Sequence, residues 1–333
     1  MLHKTIKRNL IIFVASISLL VLGACSADGL EVSEASSKDE GKGYPNGTIE
    51  MIVPASAGGD TDRNARLLAR YLEENLGVSV IVQNVNGASG SVGVDELVKS
   101  KPDGNRVLFF HNNILINQIL GLTENTYEDL KIAGISAIDK GNGVVVRGDA
   151  PYETMEDLLQ AAKANPNKLN MGTSVGAFTH FQMLDVMDKA GAEFNLVDTG
   201  DFAERNTALL GGQLDVVPMQ LGLVQDYLES GDMRAIGVLS KERMEKFPDV
   251  PTFVESGVNS VFEKFFFLAF PKDTPDSIVT TFTQAVETAT QNEEYISKAK
   301  GFGLDPQYLN PEEAEKLISK EADNYKEINE KQK

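Results

Sequence analysis

Cysteine, histidine and positive charge are all scarce in this chain, and each scarcity removes a class of function. One cysteine, Cys25, stands among 333 residues. No intrachain disulfide can form, so the folded body must be held by packing. The histidines are His3, His111 and His180. One cysteine and scattered histidines supply no H-E-x-x-H run and no cysteine pair, so no metal site is expected. No cofactor is expected either. Gly87, Gly90 and Gly93 are spaced G-x-x-G-x-x-G, which is not the G-x-G-x-x-G of a dinucleotide site. Lys and Arg total 31 against 49 Asp and Glu, a formal net charge of −18. So acidic a chain argues against nucleic-acid binding. Any anionic ligand must then be held by local donors, because the overall field repels it. Nor does the apolar run from Leu10 to Gly23 reach the ~20 residues that a spanning helix needs.

What the N-terminus does hold is an address. Lys4, Lys7 and Arg8 form a basic region, the apolar run follows, and it leads into Leu22-Gly23-Ala24-Cys25. This is the layout of a secretory signal with small residues before the cut. The tetrapeptide resembles the lipobox of bacterial lipoproteins. That resemblance implies removal of residues 1–24, diacylglycerol on Cys25, and attachment to the outer face of the cytoplasmic membrane. The loss takes away three basic residues and no acid, so the remaining chain is more acidic still. Residues 25–43 are rich in Ser, Glu, Lys, Asp and Gly. Such a segment buries too little apolar surface to offset its ordering entropy, and it reads as a flexible tether.

The body, 42% hydrophobic across the whole chain, is long enough for one large or two ordinary domains. Ile49 to Val53 predicts a buried strand. Ala65, Leu68, Ala69, Leu72 and Leu76 then lie on one helical face. Further strands are predicted at Val78 to Val82, Arg106 to Phe110, Val144 to Val146, Leu169 to Met171, Phe194 to Val197, Leu214 to Val217 and Met233 to Val238. Glu263 to Phe270 forms a last apolar run. Helices fall between most of them, including Thr154 to Ala164 with Thr154 as N-cap and Asp157 three residues on. The final third turns helical. Strand–helix–strand spacing of this kind predicts an α/β fold built from parallel βαβ units.

Several stretches resemble one family in order along the chain. Val53-Pro54-Ala55-Ser56-Ala57-Gly58-Gly59-Asp60-Thr61-Asp62 resembles the V-P-F-x-P-G-G-x-x-D opening of the solute-binding proteins of tripartite tricarboxylate transporters. Gln83 to Gly93 is similar to their E-N-R-P-G-A-G-G-x-x-G loop, and Lys101-Pro102-Asp103-Gly104 to their P-D-G-Y turn. Leu169-Asn170-Met171-Gly172-Thr173-Ser174, Leu209-Leu210-Gly211-Gly212-Gln213-Leu214-Asp215-Val216 and Phe247-Pro248-Asp249-Val250-Pro251-Thr252-Phe253 match later motifs. The resemblance implies a type II periplasmic-binding fold. One lobe would comprise residues 44–140 and 265–333 and the other 141–264, with crossing strands between and a ligand cleft at the carboxyl ends of the strands. It also implies a receptor, expected to be monomeric, that hands a small carboxylate-bearing ligand to integral-membrane transporter subunits.

The loops suit that chemistry. Gly58 and Gly59 let backbone approach a ligand just before a helix start, where unpaired N–H groups and about half a positive charge favour a carboxylate. With Ala57, Asp60 and Asp62 they form one candidate wall; Gly87, Ala88 and Ser89 form a second. By resemblance, Thr173 and Ser174 hold a ligand carboxylate from the other lobe, with His180, Asp198 and Gln220 facing the cleft. Arg63 and Arg205 are possible anion partners, although arginines on solvated helix faces are commoner. Asp60-Thr61-Asp62 could hold a cation, but helix-start acids are the plainer reading. Asp60 stands where the family usually has a neutral residue, and Asp198 lies in a segment that departs from the family pattern. Both could pair an amine, which leaves an amino acid open beside di- and tricarboxylates. Gly172-Thr173-Ser174-Val175-Gly176 also fits the G-x-S-x-G elbow of a serine hydrolase using Ser174. That fold needs a distant His after an acid after the serine, and His180 is too near. A ligand-presenting sensor subunit is a third possibility.

Overall fold

The protein is described here as a computed structural model covering residues 43–332. The expected signal, the expected lipidation at Cys25 and, apart from Gly43, the expected tether lie outside these residues. Strand β1 (Ile49–Val53) is buried at four of five positions, as a parallel strand covered on both faces should be. Helix α1 (Asp60–Leu76) buries Ala65, Leu68, Ala69 and Leu72 on the expected stripe and ends at left-handed Gly77. Strand β2 (Val80–Asn84) therefore begins two residues later than the apolar run suggested, because Gly77 and Val78 belong to the turn. Helix α2 (Ser91–Val98) and strand β3 (Arg106–His111) complete two parallel βαβ units.

Two elements that follow were not anticipated. Helix α3 (Asn113–Ile119) is too short and evenly apolar for periodicity to type it. Strand β4 (Leu130–Asp139) is interrupted at Gly134, where φ is 126° and the Leu309 carbonyl approaches. The chain then crosses through Lys140-Gly141 into β5 (Asn142–Arg147). A second α/β layer follows: α4 (Met155–Ala164), β6 (Asn170–Thr173), α5 (Phe178–Ala190), β7 (Asn195–Asp198), α6 (Phe202–Leu210), β8 (Val216–Gln220), α7 (Gln225–Ser230) and β9 (Met233–Val238). Thr154 and Asp157 form the expected capping box at α4. Its strands run in the order β7-β6-β8-β5-β9.

Residues 239–263 carry the chain back. Strand β10 (Lys264–Pro271) is buried along its whole length and enters the first sheet between β3 and β4, antiparallel to both. Helices α8 (Asp276–Gln291) and α9 (Glu293–Gly301), edge strand β11 (Leu304–Leu309) and helix α10 (Pro311–Glu330) finish the chain. The first sheet reads β11-β4-β10-β3-β1-β2, so it draws strands from both sides of the second lobe. Helix α10 packs on β4 through Ala314, Ile318 and Ala322. Its Tyr325 hydroxyl accepts from Asn112 Nδ2 at 2.8 Å, and the Tyr325 ring meets Phe181 of α5 edge-on at 6.0 Å. The last helix thus starts on one lobe and ends against the other. Among the described residues no helix is long and apolar enough to cross a membrane.

Candidate functional site

The carboxyl ends of β1 and β3 in one sheet and of β6 and β7 in the other open into one cavity of about 690 Å³. The loops after those strands line it, which is where open α/β sheets present their ligand-binding groups. Its defining feature is a pair of helix starts. Gly59 is the N-cap of α1 and Ala177 that of α5, and neither offers a side-chain hydrogen bond. Asp60 and Thr61 of α1 and Phe178 and Thr179 of α5 line the cavity from opposite lobes. Side chains cap α4, α6, α9 and α10, whereas α2, α3, α7 and α8 lack such a cap as α1 and α5 do; what sets α1 and α5 apart is their place on opposite walls of one cavity. The first N–H groups of an uncapped helix have no intrahelical acceptor and carry the positive end of the helix dipole.

The glycine-loop amides, expected to be donors, are largely satisfied by the chain itself. Gly58 N–H donates to Asp62 Oδ2 at 2.9 Å and Gly59 N–H to the Ser56 carbonyl at 3.4 Å. Gly87 N–H donates to Asn86 Oδ1 and Gly90 N–H to the Gly87 carbonyl. In the second lobe, Ser174, Val175 and Gly176 N–H are taken by Thr179 Oγ1, Asp198 Oδ1 and His180 Nδ1. The glycines instead permit the path of the loop. Gly87 and Gly90 have positive φ, and Ala88 and Ser89 between them are forced to φ 42° and 56°. That costly conformation is held by Asn113 and Asn117 of α3, which both donate to the Ser89 carbonyl.

Ala57, Gly58, Gly59, Asp60, Gly87, Ala88, Ser89, Ser174 and Asp198 all line the cavity. Asp62, Thr173, His180 and Gln220 do not. Asp62 is buried under Arg66, Asn84 and the Gly58 N–H. Thr173 is fully buried at the end of β6. His180 turns back to accept from Gly176 N–H, and burial lowers its pKa although Asp198 opposes the shift. Gln220 sits beside the crossover at Gly141, where its Nε2 donates to the Phe302 carbonyl and its Oε1 accepts from Leu223 N–H. Asp60 and Asp62 face different partners. Among the described residues no cluster of three or more metal-ligating side chains occurs.

The cavity floor is a buried charge network at the crossover. Lys264, the first residue of β10, pairs in register with Asp139, the last of β4. Its ammonium bonds Asp60 and lies 3.7 Å from Asp139. Burial works against the ionised form of Asp60, yet Lys264 holds it below the ordinary carboxylate range. Asp139, fully buried, is pushed up to about 6 by desolvation, with Lys264 opposing. Burial and then Lys264 press His111 down to about 3, so the ring is neutral at physiological pH.

The model for the tripartite tricarboxylate transporter family receptor matches residues 64–333. This chain belongs to that receptor family. A UPF0065 protein from the TAR-I ttuE-ttuC′ intergenic region of Agrobacterium vitis is 30% identical over 267 residues, covering 79% of this chain and 77% of the relative. Protein BugT of Bordetella pertussis is 29% identical over 283 residues, covering 84% and 87%. A crystal structure of a TctC solute-binding protein from Polaromonas, without ligand, superposes at TM-score 0.70 with 29% identity, covering 86% of this chain and 99% of that one. The periplasmic binding protein BugD superposes at TM-score 0.79 with 25% identity, covering 86% and 98%. The fold is that of the two-lobed periplasmic binding proteins, and such a family implies export.

In this member of the family, Ser174 has no histidine partner among the described residues. Its hydroxyl donates to the Gly200 carbonyl and accepts from Arg205 Nη2, while His111 Nδ1 accepts from Asn113 N–H. Among the lining residues that sequence reasoning did not assign to the site are Lys264, His111 and Phe178. Lys264 did leave a trace, since a charge opening a wholly apolar strand must find a partner. Arg205 does not lie on a solvated helix face, for it is only 5% exposed.

Proposed function

We propose that this chain is the extracytoplasmic receptor of a tripartite tricarboxylate-type transporter. It captures a small carboxylate-bearing metabolite by closing its lobes and delivers it to integral-membrane subunits. Residues 44–140 with 265–333 act as one jaw and 141–264 as the other. The observation that carries this reading is the pair of uncapped helix starts, α1 and α5, lining one cavity from opposite lobes. A carboxylate between them gains hydrogen bonds from both lobes and so favours closure. Lipid on Cys25 keeps the monomeric receptor at the membrane, and it works without turnover. Asp60 is already committed to Lys264, and Asp198 Oδ1 holds Val175 and Gly200 N–H. Asp60 is therefore closed to an amine, while Asp198, exposed at the cavity wall, keeps Oδ2 open to one, so amino acids are tested beside di- and tricarboxylates.

The test is calorimetry and thermal shift with dicarboxylates, tricarboxylates and amino acids side by side. A ligand at 100 times its Kd stabilises the folded state by about 2.7 kcal/mol. Heat and a raised Tm with di- or tricarboxylates are expected. Silence from every acid tested would overturn the receptor reading.

A further inference from the structure

Of the two cations that line the cavity, one is spoken for and one is not. Lys264 is bonded to Asp60. Arg205, on α6, has only neutral acceptors: Ser174 Oγ at 2.6 Å and the Gly200 carbonyl at 3.3 Å from Nη2, and the Pro218 carbonyl at 3.5 Å from Nη1. Its Nε has no hydrogen-bond partner. No carboxylate among the described residues comes within ion-pair distance of it. The nearest acids, Asp201 and Asp198, act on it at longer range, and each spends its Oδ1 on backbone N–H groups. Asp201 Oδ1 caps α6 through Ala203 and Glu204 N–H, and Asp198 Oδ1 holds Val175 and Gly200 N–H. Burial lowers Arg205 to about 10, with Asp201 opposing, so the group stays cationic at neutral pH. A guanidinium has five N–H donors in a fixed fork, and a buried cation without a counter-ion is costly.

We infer that Arg205 is the specificity-determining residue of this cavity: its guanidinium, held in place by the Ser174 hydroxyl, takes an anionic group of the ligand and makes the second lobe select by charge. The inference rests on the receptor reading and deepens it. The chemical class it selects is an acid that presents a charged carboxylate to that wall, in preference to the same molecule with an amide there. The uncapped start of α5 on the same wall adds backbone donors to the anion. Lys264 cannot substitute while Asp60 holds it.

The test is calorimetry of wild-type, Arg205→Gln, Arg205→Lys and Ser174→Ala proteins with C4 to C6 α,ω-dicarboxylates and their monoamides. Wild type is expected to prefer the dicarboxylate by at least about tenfold, roughly 1.4 kcal/mol. Arg205→Gln should remove that preference while monoamide affinity changes less than threefold. Arg205→Lys should retain part of it, and Ser174→Ala should reduce it by loosening the guanidinium. Equal losses for acid and amide would mark Arg205 as structural only and overturn the inference, as would an undiminished preference in Arg205→Gln. If Arg205→Gln fails to fold, the Lys and Ala variants decide by the same acid-to-amide ratio. Wild type that binds both forms equally would overturn this inference alone. Wild type that binds no carboxylate would overturn the receptor reading with it.

Discussion

Replacing Lys264 by Met tests the charge network on which the cavity floor rests. The Lys264 side chain is 6% exposed and that of Asp139 is 0% exposed. Met keeps most of the volume and removes the ammonium. Asp60 and Asp139 are then left with no counter-ion, and breaking a buried pair in this way costs about 3–5 kcal/mol. For a body of this size that corresponds to a fall in Tm of roughly 10 °C. The pH dependence identifies the cause. In wild type, Lys264 holds Asp60 below its ordinary value, so the pair contributes stability above that value and loses it as pH falls. In Lys264→Met both acids lack a cation: the folded pKa of half-buried Asp60 rises, and that of fully buried Asp139, already about 6 in wild type, rises further. The variant therefore loses stability as pH rises through those values and regains it in acid. Thermal melts of both proteins from pH 8 to pH 5 should show a gap that narrows on acidification. Adding Asp60→Asn should restore part of the loss at pH 7. A loss under about 1 kcal/mol at pH 7, or a gap that stays constant with pH, would refute the argument.

Two further outcomes follow from single positions. Burial presses His111 to about 3, below the ordinary imidazole value of 6.5, so the unfolded chain takes up a proton first as pH falls. The associated stability is whole above 6.5, is lost towards 3, and amounts to up to about 2 kcal/mol by pH 5; a Tm gap between wild type and His111→Gln that does not change between pH 7.5 and 5 would exclude it. Gly90 has φ 94°, and a Cβ there would lie 2.3 Å from Phe110 Cζ, whereas Gly58 at φ 82° has nothing within 4 Å. Gly90→Ala should cost about 2–4 kcal/mol in denaturant melts and Gly58→Ala about 1, and equal costs would remove the packing argument.

The amino-acid sequence by itself determined the α/β alternation, because strand and helix periods are local. It placed β1, α1, α4 and β9 almost to the residue, since each is a buried run or an amphipathic stripe with a cap at its end. It also brought nine candidate residues to the cavity, because loops that follow parallel strands must gather at one edge of a sheet. It could not say which donors remain open. The Gly58, Gly176 and Val175 amides are consumed by Asp62, His180 and Asp198, and those hydrogen bonds depend on loop conformation rather than residue type. Nor could it type β4 and β11, whose strand identity comes from pairing with β10 and with each other. Asp60 looked like a free acid and Arg205 like a solvated helix residue. Only the return of β10 brings Lys264 to Asp60 across 204 positions, and only the packing of α6 on its sheet buries Arg205 away from any counter-charge. Charge pairing over such separations is decided by where the chain crosses, which no local pattern encodes.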